Sequence, residues 1–220
     1  MPFAIRNRDD HMPHLEPLDG FTTRVEFRPE FMADLQHRDR AEISRRFAEG
    51  HRAYVALIDN EPAAWGWVAG DAARIGEVDA TVQLPSNERY LWNFVTLERF
   101  RGRGIYPRLL QAILREEAKT ADRFWIAYAP ENRASGAGIV KAGFTPVAEL
   151  SFDANGRAAL KSTIEGGAAS VSRVLPLREA TEELTPCWRC VRAGRLPMAC
   201  REGACECDYQ RPEVACARQD

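Results

Sequence analysis

Two sets of residues carry the chemistry this chain offers. The first is Arg101-Gly102-Arg103-Gly104-Ile105-Tyr106, set between an aromatic, β-branched run and an amphipathic one. A strand that passes through glycines into a helix leaves backbone N–H groups free at the positive end of the helix dipole, where phosphates bind. Gly102 and Gly104 permit close backbone approach, and Arg101 and Arg103 add charge. Pro107 has no N–H, so a cradle of this kind ends at Tyr106. Taken alone, the segment reads equally well as a basic turn between core elements.

The second set is six cysteines, all after residue 186. They run Cys187-x2-Cys190, nine residues, Cys200, four residues, Cys205-x-Cys207, eight residues, Cys216. Cys187 and Cys190 have the spacing of a zinc knuckle. Cys205 and Cys207 supply the other two thiolates of a tetrahedral site, with Cys200 and Cys216 as alternatives. Redox-active or disulfide-linked thiols, and plain reduced thiols, are the competing readings.

The elements that must position the loop follow from hydrophobic spacing. Residues 90–97 predict a buried strand, and Ile105, Tyr106, Leu109, Leu110 and Ile113 form one stripe of a helix. Upstream, 22–27 predicts a strand, 29–49 one or two helices, and 54–58 with 63–69 a hairpin. Trp65 and Trp67 share a face of that hairpin, as core or as pocket wall. Residues 74–82 predict another strand. Residues 123–129 predict one that a helical crossover places parallel to 90–97. A short helix over 132–141 and a hairpin of 144–152 with 157–161 follow, turned at Asn155-Gly156. Residues 162–172 read as a loop, and 1–20, without periodicity, as a loosely held arm. The expected division is an arm at 1–20, a main domain at 21–175 and a cysteine tail at 176–220.

A formal net charge of −2 gives no field for nucleic acid or a membrane surface. No apolar run approaches the roughly 20 residues of a membrane span, and the first residues lack the apolar block of a signal peptide. The cytoplasm is the default compartment.

In this order, the motifs resemble the GNAT superfamily of acyl-CoA-dependent N-acetyltransferases over residues 22–161. The family's phosphate motif is Arg/Gln-x-x-Gly-x-Gly/Ala. Arg101 and Gly104 hold its defining slots, and Tyr106 stands where glycine or alanine is usual. A second family pattern is matched by Asn132, Ser135, Ile139, Gly143 and Phe144, with Ile139 in place of a tyrosine. The resemblance implies an α/β fold: a mixed, mostly antiparallel sheet with a parallel, splayed central strand pair, flanked by helices, to which the Cys-rich tail is added. It also implies acetyl-CoA as co-substrate. Its pyrophosphate would lie on residues 102–106, its pantetheine arm along Phe94, Val95 and Thr96, and Asn132 and Ser135 would face that arm. A dinucleotide-binding reading fails, because Pro107 falls where the third glycine belongs.

The implied function is transfer of an acetyl or short acyl group to a small-molecule or peptide amine by direct attack, with a backbone N–H near Val95 polarising the thioester. The alternative is a non-catalytic acyl-CoA-binding or thiol/metal-responsive regulator. Ile139 cannot act as the family's acid, so Ser135 and Tyr128 are the substitutes, each equally a helix first-turn residue or a core aromatic. Tyr90 stands where some members carry a basic carboxylate. Glu88, Glu77 and Asp79 are the carboxylates nearby, and each reads equally as a solvated charge.

Overall fold

A computed structural model describes residues 1–76, 78–153, 156–182 and 184. The cysteine set, Glu77 and Asn155 lie outside the described residues. The chain order is β1 (Pro2–Asn7), β2 (Phe21–Glu26), α1 (Pro29–Gln36), α2 (Arg40–Ala48), β3 (Arg52–Ile58), β4 (Glu61–Ala69), β5 (Ala72–Ile75), β6 (Ala80–Gln83), β7 (Glu88–Thr96), α3 (Ile105–Glu117), β8 (Arg123–Ala127), α4 (Arg133–Lys141), β9 (Thr145–Phe152), β10 (Ala158–Ser162) and α5 (Gly167–Ser172). An eight-stranded sheet has the order β10-β9-β1-β8-β7-β4-β3-β2, and β5 and β6 form a separate hairpin. The β7–β8 pair is parallel, as a crossover through α3 requires, and the other pairs are antiparallel. The mixed, mostly antiparallel α/β architecture expected from the sequence is the one observed.

Alternation along the strands divides the core between two faces. Tyr54, Ala64, Leu91, Phe124 and Ile126 pack with Ile105, Leu109, Leu110 and Ile113 of α3 and with Ile139 of α4. On the other face, Val55, Trp65 and Trp67 pack under α1 and α2, while Phe3, Tyr90 and Trp125 pack with Ala168 and Val171 of α5. No helix among the described residues is long and apolar enough to cross a membrane.

Three expectations are corrected. Residues 1–20 are not a loose arm: β1 lies between β8 and β9, with Phe3 and Ala4 fully buried. The Arg6 guanidinium is buried with it and donates to the carbonyls of Asp10 (2.5 Å), His11 (3.0 Å) and Gly143 (3.0 Å). Residues beyond β1 are fastened to α3 by side chains, as Gln111 Nε2 donates to the Pro13 carbonyl at 2.8 Å. The strand expected over 74–82 is instead the β5–β6 hairpin, where Asp79 pairs with Arg74 at 2.5 Å. The loop expected over 162–172 contains α5. Its small residues allow contact: a Cβ on Gly167 would lie 1.8 Å from the Val147 carbonyl oxygen. Contacts with the sheet continue beyond residue 175, where the Ala180 N–H donates to the Leu160 carbonyl at 2.7 Å.

Glu26, at the end of β2, accepts from Arg28 Nε and Nη2 (both 2.8 Å) and from Arg24 Nη2 (2.9 Å). The Arg28 hydrogen bond is the main cause holding its carboxyl at about 2, below the ordinary 4.5. A folded-state value below the unfolded one stabilises fully above pH 4.5, and that contribution is lost as pH falls toward 2. Urea midpoints measured at pH 5 and pH 3 should therefore fall further for the parent chain than for Glu26→Gln.

Candidate active site

β7 leaves its parallel neighbour halfway along. Glu88 to Leu91 pair with Arg123 to Ile126, while Val95 and Thr96 pair with β4 alone. The β8 residue Ala127 pairs with Phe3 of β1. Between Trp92 and Val95 the register slips against Trp67 and Trp65, which is a β-bulge, and Asn93 there has φ +51°. The bulge and the departure from β8 together open one edge of β7. The Leu97 N–H donates to the Ala63 carbonyl at 2.9 Å, toward β4. By alternation, Thr96 and Phe94 turn their N–H and C=O groups to the open edge, where Arg101 Nε reaches the Thr96 carbonyl at 3.3 Å. Of the three residues expected to meet pantetheine, Phe94 and Thr96 present backbone. Val95 directs its own backbone into the ladder with Trp65 and packs its side chain on the α1–α2 face.

The glycine loop follows directly. Gly102 and Gly104 have φ +78° and +69°, the left-handed region that glycine enters without strain. Gly104 is the N-cap of α3, and its carbonyl accepts from Arg108 Nη1 at 2.8 Å. Among the described residues, the backbone N–H groups of 102–106 donate to no carbonyl. These are the orphan donors of a helix start. Arg101, Gly102 and Arg103 are exposed and Gly104 half-buried, while Ile105 anchors the loop in the core. This donor set fits a pyrophosphate, and the open β7 edge beside it fits an extended amide-bearing arm.

Across the gap stands α4. Asn132 caps it, its Oδ1 accepting from the Ser135 N–H at 3.0 Å, which leaves Nδ2 for a ligand. Ser135 Oγ donates to Tyr106 Oη at 3.3 Å. The Tyr106 ring lies 5.4 Å from the Phe94 ring, centroid to centroid. It touches α4 so closely that a Cβ on Gly138 would be 2.5 Å from it, and the Tyr128 ring lies against Gly136 in the same way. Tyr106 thus turns inward, as its place in the stripe predicts, but it fills the space between β7 and α4 rather than joining Leu109 and Leu110 in the centre of the core. Burial pushes the Tyr106 and Tyr128 hydroxyls above the usual phenol range.

Ser135, Tyr128 and the cradle residues therefore gather around one gap, and Glu88 does not belong to it. Glu88 starts β7, seven residues or about 23 Å from Val95 along the strand. There it is buried, accepts from Trp125 Nε1 at 2.5 Å and pairs with Arg173 at 3.5 Å. Ile139, in the family's tyrosine slot, is fully buried apolar core. Tyr106 brings a phenol to α4 from the opposite helix, a role that sequence spacing assigned only to core.

Sequence reasoning also missed the polar cluster on the other face of β7. The Arg46 guanidinium lies 5.2 Å from the Trp67 ring and 4.8 Å from the Trp92 ring, while its Nη2 holds Glu42 at 2.5 Å. His51 meets Trp92 edge-on at 5.2 Å. Nothing in the local pattern signals these contacts, because β3 and β4 carry their partners in from distant positions.

Residues 20–144 match the family model described as Acetyltransferase (GNAT) family, and the chain belongs to that family. No curated protein matches it. Among solved structures, it is similar to a GCN5-related N-acetyltransferase from Kribbella flavida at 15% identity, with 66% of this chain and 53% of that chain covered and a TM-score of 0.44. A GNAT-family acetyltransferase from Colwellia psychrerythraea gives 15%, 66%, 52% and 0.47. The enzyme AAC(6')-Iy, solved with a bisubstrate analogue, CoA-S-monomethyl-acetylneamine, gives 18%, 57%, 90% and 0.45. The chain spans about half the length of the first two. Among the described residues no group of three or more His, Cys, Asp or Glu is placed to hold a metal.

Proposed function

We propose that this chain transfers an acetyl or other short acyl group from acyl-CoA to an amine by direct attack. The observation that carries the reading is the set of free N–H groups at 102–106 beside the open β7 edge at Phe94 and Thr96. Residues 102–106 would hold the pyrophosphate, with Arg101 and Arg103 neutralising it. Phe94 and Thr96 would pair with the pantetheine amides, and an N–H of this pair would face the thioester oxygen as negative charge develops there. The incoming neutral amine forms the C–N bond, the tetrahedral intermediate breaks the C–S bond, and the proton that the nitrogen loses is balanced by the one that the thiolate takes up. Tyr106, Ser135 and Tyr128 supply hydroxyls on that side of the gap. This placement disfavours the non-catalytic alternative that Ile139 left open.

Isothermal titration with acetyl-CoA tests the reading, and absence of binding at hundreds of micromolar would remove it. Arg101→Ala and Arg103→Ala should each weaken binding about tenfold, roughly 1.4 kcal/mol. That loss should shrink in high salt, because both side chains are exposed. The cysteine spacing supports a zinc-binding tail, and metal analysis of protein purified without added zinc tests it. We expect one equivalent, and less than half an equivalent would overturn the zinc reading.

A further inference from the structure

Residues 99–108 carry four arginines around the glycine loop, and three of them are engaged away from the open edge of β7. Arg99 pairs with Glu61, Arg103 lies over the Phe100 ring at 5.7 Å, and Arg108 donates to the carbonyls of Gly104 and Glu16. Arg101 is different: its Nε donates to the Thr96 carbonyl at 3.3 Å. In the peptide that joins Thr96 to Leu97, the N–H runs to Ala63, toward β4. The trans carbonyl therefore points the opposite way, to the side that β8 has left. The guanidinium sits on an acceptor that an extended, amide-bearing arm would use, since such arms bind by adding main-chain hydrogen bonds to a free strand edge.

Two features make this contact exchangeable. The Arg101 side chain is exposed, and its acceptor is a neutral carbonyl rather than a carboxylate. Gly102 beside it has φ +78°, and beyond its chain neighbours no atom lies within 4 Å of where a Cβ would stand, so nothing wedges the loop against the strand. A pyrophosphate on the N–H groups of 102–106 would offer the same guanidinium two anionic groups close by. Charge-assisted hydrogen bonds are roughly twice as strong as neutral ones, so the guanidinium would leave the carbonyl for the phosphates.

We infer that Arg101 selects the acyl donor: it covers the β7 edge at Thr96 until a pyrophosphate draws it away. A thioester that carries a pyrophosphate uncovers its own binding edge. A short acyl thioester without phosphate must instead compete with the guanidinium for the Thr96 carbonyl. The covered fraction raises the apparent dissociation constant of such a phosphate-free arm. Arm and pyrophosphate then bind with positive coupling, and each strengthens the other by the same factor. Arg101 is thus a specificity residue as well as a source of charge, and its removal acts with opposite sign on the two kinds of donor.

This inference rests on the acetyl-transfer reading, and titration with cofactor fragments separates the two. Acetyl-CoA, inorganic pyrophosphate and S-acetylpantetheine, which has the arm and thioester but no phosphate, are titrated into the parent chain, Arg101→Ala and Arg103→Ala. Arg101→Ala should bind S-acetylpantetheine roughly threefold to tenfold more tightly than the parent, the worth of one hydrogen bond, while losing affinity for acetyl-CoA. Arg103→Ala should lose affinity for acetyl-CoA and gain none for the fragment. Saturating pyrophosphate should tighten S-acetylpantetheine on the parent by a similar factor and have no such effect on Arg101→Ala. If acetyl-CoA binds but Arg101→Ala takes the fragment no better than the parent, or pyrophosphate does not help the parent, the selector role is overturned while acetyl transfer stands. Fragment binding undetected in every variant at tens of millimolar overturns it equally. If acetyl-CoA does not bind the parent chain, both readings fall.

Discussion

Replacing Glu117 with alanine is expected to destabilise the folded chain by about 3–5 kcal/mol, the range for removing one partner of a buried ion pair. Glu117 closes α3, is 2% exposed, and accepts from Tyr54 Oη at 2.5 Å, from Arg89 Nε at 3.1 Å and from Arg52 Nη2. A carboxylate at a helix C-terminus opposes the dipole, so the two arginines offset the cost of placing it there. Truncation leaves the buried Arg89 with its bonds to Thr120 Oγ1 and to the carbonyls of Ser86 and Glu88 but no counter-charge. It also leaves the Tyr54 hydroxyl, which burial and Glu117 push above the usual phenol range, without its acceptor. Glu117→Gln should fall between the two, since an amide oxygen still accepts from Tyr54 but carries no charge. Urea unfolding measures both, and a loss below about 1 kcal/mol for the alanine variant would contradict the account. The cradle is at the other end of α3, 12 residues or about 18 Å away, so acetyl-CoA affinity should survive wherever the variant remains folded.

The cradle end of α3 was legible in the sequence and the Glu117 end was not, for a physical reason. Glycines at 102 and 104, followed by an apolar stripe, are local signals of a turn and a helix start. Glu117 looks like one charge among several, and its partners sit 63, 28 and 65 residues away. The same holds for β1. Six residues with a proline and an arginine carry too little pattern to announce a central strand. Of the three carbonyls that make Arg6 tolerable inside, one belongs to Gly143, 137 residues distant. The splayed strand pair came through the family resemblance, while the bulge at Asn93 that helps to open its edge was not visible. Nor was the His51–Arg46 cluster, because each member alone is an ordinary helix or loop polar residue. For Glu117 and β1 the missing information is long-range pairing, which topology supplies and local spacing does not.

Gly66 packs against the Phe94 ring at the open edge of β7, and Gly66→Ala should test whether that edge receives the cofactor. A Cβ at this position would lie 2.0–2.6 Å from three atoms of the Phe94 ring, so the ring must move. Its neighbour on one side is the Tyr106 ring, at 5.4 Å, which is itself held against Gly138 and bonded to Ser135. The remaining direction is the open edge of β7, where the pantetheine arm would pair. The expected result is a loss of about 1–3 kcal/mol of stability, the usual cost of overpacking, with acetyl-CoA binding weakened at least tenfold. The two effects separate in a double variant. Adding Phe94→Leu replaces the ring with a shorter side chain, and it should restore most of the affinity while recovering only part of the stability. A coupling free energy of the order of 1 kcal/mol or more between the two substitutions is expected, because the side chains are in contact. If Gly66→Ala alone bound acetyl-CoA as tightly as the parent chain, Phe94 would not border the cofactor path, and the open edge would have to be assigned some other role.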